Sequence, residues 1–336
     1  MPTINHQITL RERPIGIPNA QTFTSREVPA VPPQDGDVLI ETLYVSVDPA
    51  MRVWIGDHPG YVEPVALGEV MRAGGIGRVI DSHYRDLRPG DIVQGRLGWQ
   101  SRPTLPGAHV QKLDLNLGNV LDWMGPLGGT GLTAYFGFFD VGQAQHQDVV
   151  LVSAAAGGVG QMVCQLAKLH GCQTIGIAGG PAKCDFIAST FGLDGVIDYK
   201  GATDLDAAIS RCCPTGIDLY FDNVGGPTLD VAIQHLRLHG RITLCGRISQ
   251  TAASELYGVR NTGLLIGKRA RMAGFIVSDF SERFLEARQW LSPHVKAGRI
   301  RQRLHILNGL NQAPEGLHML FQGANLGKLV VQVTDT

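Results

Sequence analysis

The chain has 336 residues, 44% apolar and 18% charged, with a formal net charge of -1. That length suggests about two domains with sizeable cores, and the composition is far from that of a disordered chain. Lys and Arg total 29 against 30 for Asp and Glu, so no net field favours a nucleic-acid backbone or an anionic membrane, and the expected partners are small molecules.

From Thr3 to about Asp122 the sequence runs in short β-type stretches punctuated by Pro and Gly: DVLIETLYVSV, GIGRVIDS, GDIVQGRLGW. This texture predicts a small, mostly antiparallel, barrel-like domain. RPGD, Arg88 to Asp91, reads as a turn between two of its strands. From about Asp148 the rhythm changes to strand, then helix. The strands are expected at DVVLVSA, QTIGIAG, GVIDYK, GIDLYFDNV, GRITLCG and RMAGFIV. Between them lie helical patterns such as GQMVCQLAKLHG and PTLDVAIQHLRLHG, each closed by Gly. Six apolar strands alternating with helices predict an open parallel sheet wound on both faces. GKLVVQVT, near the end, is one more strand.

All six cysteines (Cys164, Cys172, Cys184, Cys212, Cys213, Cys245) lie in the second half without a C-x-x-C pair. They fit neither a disulfide framework nor a zinc site, and several read as small core residues. The opening MPTINHQITLRERP carries no apolar signal segment. The most apolar run, Val149 to Ala167, is broken by Ser153, three glycines and two glutamines, so no membrane span is expected. A soluble cytoplasmic protein is the expectation.

The first strand of the second half runs through AAAGGVG into a helix. Against G-x-G-x-x-G this aligns Ala155, Gly157 and Gly160. Gly157 lets the backbone approach a pyrophosphate, and Gly160 lets helix and strand pack closely. The helix N-terminus adds N–H groups and positive dipole for phosphates. The second strand should end at Ala178, 18 residues after Gly160, where an acid would select NAD by holding a ribose hydroxyl. Gly179 and Gly180 stand there instead, with Lys183 close behind. That combination leaves room and charge for a 2′-phosphate, so the expected cofactor is NADPH. Tyr199, ending the third strand, offers a hydroxyl or a ring for the adenine. The bland alternative makes Lys183 an exposed lysine in a first helical turn, where it opposes the dipole.

Zinc alcohol dehydrogenases share this two-domain texture, which makes a catalytic metal the first alternative. The first half contains no cysteine, its histidines (His6, His58, His83, His109) are scattered, and no H-E-x-x-H occurs. Where those enzymes have Gly-His-Glu, this chain reads Leu67-Gly68-Glu69. No catalytic metal is expected. A G-x-S-x-G elbow is also absent, and GLLIGKR lacks the spacing of a P-loop. The basic run KRARM, followed by a predicted strand, reads as a solvated helix end.

Together the motifs resemble the zinc-independent branch of the medium-chain dehydrogenase/reductase superfamily, in particular its NADPH-dependent alkenal, or prostaglandin, double-bond reductases. The resemblance is carried by VSVDPAMR, GLTAYFG, AAAGGVGQ, GCQTIGIAGGPAKC, DYK, YFDNVGG, CGRISQ, GFIVSD and GANLGK, which together span nearly the whole chain. It implies a GroES-like domain over residues 1–125, to which 305–336 returns, and a Rossmann NADPH-binding domain over 126–304. The fold class is thus α/β: a GroES-like mostly-β domain plus a doubly wound, six-stranded parallel sheet. By the same resemblance Gly158 and Val159 meet the phosphates, while Lys183 and Tyr199 meet the 2′-phosphate end. Asn223, Cys245, Phe275, Ile276, Val277 and Asn325 line the rest of the cofactor; Cys245 read without the resemblance is equally a packing residue.

The implied reaction is hydride transfer to the β-carbon of an α,β-unsaturated ketone or aldehyde, followed by protonation at the α-carbon. Two positions depart from the family pattern. Ala50 replaces the tyrosine of Asp-Pro-Tyr-Met-Arg, and Thr251 replaces the tyrosine after Ile-Ser-Gln. Both border the expected substrate pocket, which their loss enlarges. Tyr257, Tyr61 or Thr251 could supply a hydrogen-bond or proton donor, and so could a ribose hydroxyl with water. A quinone reductase of the same fold, or a weakly catalytic NADPH-binding protein, are the rival readings. A homodimer is expected, with RMAGFIV as an edge strand pairing across a two-fold axis.

Overall fold

The computed structural model describes residues 3–57 and 60–334, so His58 lies outside the described residues. The chain divides into two compact units. One comprises Met1–Met124, Leu304–Asn325 and Leu329–Thr336; the other comprises Gly125–Arg303 and Leu326–Lys328. In chain order the strands are β1 Ile4–Leu10, β2 Phe23–Pro29, β3 Asp37–Ser46, β4 Gly75–Ser82, β5 Ile92–Gly95, β6 Thr104–Pro106 and β7 Val110–Lys112. They continue as β8 Val149–Val152, β9 Gln173–Ala178, β10 Gly195–Asp198, β11 Ile217–Asp222, β12 Leu236–Leu244, β13 Arg271–Gly274, β14 Leu304–Asn308 and β15 Lys328–Gln332.

In the first unit β1 and β2 form an antiparallel pair, and a seven-stranded sheet runs β14-β15-β3-β4-β5-β7, with β6 added to β3. β3 is its organising strand. Its register shifts twice against β4, once between Leu39 and Ile40 and once between Thr42 and Tyr44. Such irregularities bend a strand and raise its twist, and here one strand serves two cores. Val38 and Ile40 pack with Val79, Leu87, Val93 and Leu97. Val45 packs in another cluster with Met51, Trp99, Leu317 and Leu329. The predicted RPGD turn lies between β4 and β5, where the Asp91 carboxylate accepts the Arg88 N–H at 2.9 Å.

The second unit is a six-stranded sheet in the order β10-β9-β8-β11-β12-β13, with every adjacent pair parallel. This is the doubly wound arrangement, with its order reversing between β8 and β11. Alternation along the strands separates two faces. Val149, Leu151, Ile175, Ile177, Tyr220 and Ile242 pack with Ala208 and Ile209 of helix Leu205–Cys212 and with Leu229 and Ile233 of helix Gly226–Gln234. On the opposite face, a Cβ at Gly176 would lie 2.9 Å from Ile187 of helix Pro181–Phe191 and from Ala155 of the β8 loop.

One element differs from its sequence pattern. The expected helix PTLDVAIQHLRLHG stops at Gln234, and β12 starts at Leu236 rather than at Gly240. Leu236 and Leu238 satisfy a period of two as well as of 3.6. His239, with φ of 62°, then marks the irregularity between the pairings Ile217–Leu236 and Leu219–Arg241. Among the described residues no helix is long and apolar enough to cross a membrane.

Candidate functional site

Ligands of doubly wound sheets bind outside the carboxyl ends of the strands at the switch point, here the ends of β8 and β11. β8 is buried along its whole length. Its exit loop is held on both neighbours: Ser153 N–H donates to Phe221 O at 3.1 Å and Ala155 N–H to Ile177 O at 2.9 Å. Ala154 takes the left-handed conformation, φ 47°, and helix Gly158–Leu169 follows with Gly157 as its N-cap.

The two glycines of the motif do different work. A Cβ at Gly160 would fall 2.2 Å from Ala154 O, an overlap with backbone that nothing can relieve. A Cβ at Gly157 would meet only Ala154 O, at 3.1 Å, a tight contact but not an overlap, so packing constrains that glycine far less. What it leaves clear is space beside the helix N-terminus. Gly157 also bridges in parallel to Gly327, whose N–H donates to Ala156 O at 3.0 Å, so residues 326–328 run along this loop. Val159 lies in the helix's first turn.

Two buried glutamines of this helix, one turn apart, hold a further segment in place. Gln161 accepts the Arg303 N–H at 2.8 Å and donates to Arg303 O; Gln165 accepts the Arg301 N–H at 2.7 Å and donates to Arg301 O at 2.8 Å. Their amides imitate a strand edge. The signal available in the sequence was a pair of polar residues four apart on an otherwise apolar helix.

At the end of β11 the Asp222 carboxylate is wholly buried. It accepts from the Ser153 hydroxyl at 3.0 Å, the Tyr220 hydroxyl at 2.8 Å, and the N–H groups of Val224 and Gly225, each at 3.0 Å. The Ser153 Oγ accepts the Asn223 N–H at 2.8 Å, and Asn223 Nδ2 donates to Ser153 O at 2.7 Å. Burial pushes the Asp222 carboxyl up, against the downward pull of these donors. Cys245 follows β12 with its N–H on Asp222 O at 2.8 Å; burial, then the nearby carboxylate, pushes its thiol up to about 12. A thiol so placed is neutral at pH 7 and is no nucleophile. Ser153, Tyr220 and Asp222 escaped the sequence reading, although DNVGG places an acid at the strand end.

β9 and β10 end side by side. The Tyr199 N–H donates to Ala178 O at 3.0 Å, and the Asp198 Oδ1 accepts the Gly180 N–H at 2.7 Å and the Lys200 N–H at 3.0 Å. These bonds hold the Asp198 carboxyl below the usual range. The Tyr199 ring, half exposed, lies on the backbone of Gly179, where a Cβ would come within 2.6 Å of it. Gly180, φ 90°, caps helix Pro181–Phe191. Lys183 is half-buried in its first turn; burial and then the Lys200 ammonium hold its pKa below the usual lysine range.

Beyond β13, the Phe275 ring packs where a Gly137 side chain would otherwise sit, 2.6 Å from that Cβ position. Ile276 and Val277 follow, both half-buried. The segment after Cys245 is tied down at two places. Ile248 and Ser249 N–H groups donate to Asn223 O and Val224 O. Further on, Asp230 accepts the Tyr257 hydroxyl at 2.8 Å and the N–H groups of Arg260 and Asn261 at 2.9 and 2.8 Å. Two of the three expected donors are therefore committed inside this unit: Tyr257 to Asp230, and the Thr251 hydroxyl to Arg247 O at 2.9 Å. In the first unit the Tyr61 oxygen accepts from Trp54 Nε1 at 3.0 Å, and its own proton has no acceptor among the described residues. Ala50 precedes the short helix Met51–Trp54, and Asn325 is buried at the end of its segment of that unit. Among the described residues no group of three His, Cys, Asp or Glu side chains is placed to hold a metal ion.

A doubly wound parallel sheet with a glycine loop and an open helix N-terminus at its switch point is the arrangement of a dinucleotide-binding domain. Residues 6–113 match a family described as the N-terminal domain of oxidoreductase, and residues 158–293 one described as zinc-binding dehydrogenase. The chain is 37% identical to the NADPH-dependent curcumin reductase of Escherichia coli (strain K12), over 98% of this chain and 97% of that one. It is 38% identical to a 2-alkenal reductase (NADP(+)-dependent) of Nicotiana tabacum, over 98% of each. The crystal structure of CurA in complex with NADPH from Vibrio vulnificus superposes with a TM-score of 0.93 at 37% identity, over 98% of this chain and 100% of that one. The protein belongs to the medium-chain dehydrogenase/reductase superfamily, in its double-bond reductase family.

Proposed function

We propose that the protein is an NADPH-dependent reductase of the conjugated C=C bond of enones and enals. The observation that carries the cofactor assignment is the paired end of β9 and β10, where glycines replace the acid and Lys183 stands without a hydrogen-bond or ion-pair partner among the described residues. The relatives named for NADP(H)-dependent curcumin and 2-alkenal reduction support it. Ala155, Gly157, Gly158 and Val159 would hold the pyrophosphate. Gly179, Lys183 and Tyr199 would hold the adenosine end, with Asn223, Cys245, Phe275, Ile276, Val277 and Asn325 along the remainder.

Bound NADPH supplies a hydride to the substrate β-carbon, and the electron pair of the C=C bond moves onto the carbonyl oxygen as an enolate. The chain's own contribution is placement and exclusion of water. The Asp222 network fixes Asn223 and Gly225 at the switch point. The loop after β8 leaves the helix N-terminus open to negative charge. No protein group need titrate for the hydride step. The α-carbon proton is taken from solvent, with the Tyr61 hydroxyl the one of the three protein donors whose proton has no acceptor among the described residues. A homodimer belongs to this reading: β13 is an edge strand, residues 244–286 contain no buried residue, and Ile266 is 82% exposed.

The test is NADPH oxidation by the purified protein with a long-chain enal and a simple quinone side by side, using NADPH deuterated at C4. Faster turnover with the enal, with deuterium recovered at the β-carbon of a saturated aldehyde, is the expected result. Preference for the quinone would move the protein to the quinone reductases. Tight NADPH binding without turnover of either would overturn the assignment as a reductase.

A further inference from the structure

Lys183 stands in the first helical turn after β9 and Lys200 just after β10, close enough for the Lys200 ammonium to act on Lys183. Asp198 is the fastener, because one carboxylate oxygen takes the N–H of Gly180 from one strand end and of Lys200 from the other. Ala202 N–H closes the turn onto Asp198 O at 2.9 Å. Neither ammonium has a hydrogen-bond or ion-pair partner among the described residues. Both stand beside the positive N-terminus of helix Pro181–Phe191. Of the acids nearby, Asp198 holds backbone donors and attracts Lys200 without an ion pair to either ammonium, and Asp185, two residues on from Lys183 and about 200° round the helix, is exposed on another face. Two ammonium groups and a helix N-terminus thus gather about a single carboxylate, an excess of positive charge that a bound anion would offset.

We propose that Lys200 is a second cationic determinant of cofactor choice, contacting the 2′-phosphate of NADPH together with Lys183. This rests on the NADPH reading above. A doubly charged phosphate monoester presents three acceptor oxygens, enough for both ammonium groups and the Tyr199 hydroxyl. Lys200 follows the residue whose ring covers Gly179, so its position is fixed by the same turn that builds the adenosine end.

The experiment is calorimetric binding of 2′,5′-ADP and of 5′-AMP to the full chain, as wild type, Lys200→Gln and Lys200→Arg. Loss of one charge-assisted contact at an exposed site should weaken 2′,5′-ADP about fivefold to tenfold in Lys200→Gln. Binding of 5′-AMP should stay within about twofold, and Lys200→Arg should retain most of the 2′,5′-ADP affinity. Unchanged 2′,5′-ADP binding in Lys200→Gln would make Lys200 a solvated surface lysine. Equal weakening of both nucleotides would give it a structural role; either result overturns the proposal alone. A wild type that fails to prefer 2′,5′-ADP over 5′-AMP would instead overturn the NADPH reading itself.

Discussion

Two charged regions of the same sheet behave in opposite ways. At the end of β11, one buried carboxylate is met by two hydroxyls and two backbone N–H groups from the loops around it. Just beyond β9 and β10, two ammonium groups have only the Asp198 carboxylate nearby, and neither has a hydrogen-bond or ion-pair partner among the described residues. The first region is complete without a ligand and reads as scaffold. The second is incomplete and reads as a binding site. A charge is therefore more informative for its missing partners than for its presence.

The largest expected effect comes from breaking the complete region. Asp222→Ala would strand two buried hydroxyls and the turn donors, and should cost about 3 to 5 kcal/mol in urea unfolding. Asp222→Asn should be milder and should reveal a pH effect. Because the folded carboxyl is raised, the folded state binds the proton more tightly than the unfolded chain does. The stability from this group is present below the ordinary carboxylate range and is lost as pH rises through the raised value. That loss should vanish in Asp222→Asn when unfolding is followed across the acid range.

Next in size is the contrast between the two loop glycines. Gly160→Ala meets Ala154 O at 2.2 Å and should lower stability by about 2 to 3 kcal/mol or prevent folding. Gly157→Ala meets the same oxygen only at 3.1 Å and should cost about 1 kcal/mol as a poorer N-cap. It should nonetheless weaken NADPH measurably by fluorescence titration. Equal stability losses in the two variants would refute the assignment of Gly157 to ligand clearance.

Lys183→Ala sharpens the incomplete region. It should raise the NADPH dissociation constant about tenfold or more and leave the NADH value within about twofold. Matched effects on both would sink the 2′-phosphate assignment. The smallest effect is expected for Tyr257→Phe. With its hydroxyl directed at Asp230, loss of that group should leave kcat within about twofold, whereas loss of a true proton donor would cost about a hundredfold or more.

Much of this architecture was legible in the sequence because it rests on local chemistry. Alternating strand and helix patterns, the glycines at 157 and 160, and the missing acid after Ala178 each have a physical meaning within a dozen residues. The start of β12 was not legible, since LRL obeys either periodicity and pairing with β11 decides between them. Gln161 and Gln165 could be seen as polar interruptions of a buried helix, but their backbone partners at 301 and 303 lie more than 130 residues away. Tyr257 was nameable as a phenol near the expected pocket, but its partner Asp230 is set by folding alone. The same holds for Lys200, whose importance depends on a neighbour 17 positions earlier across a strand end.

The Tyr199 ring resting on Gly179 has a consequence for how cofactor choice could change in evolution or by engineering. The direct route to NADH use, an acid in place of Gly179, is obstructed because any side chain there must first displace that ring. On the proposed binding mode, replacing Tyr199 first would discard a contact of the existing cofactor before the new one gained anything. Each single step is therefore a loss, and only a simultaneous exchange at both positions crosses the gap, so this family member should hold its cofactor preference through long sequence drift.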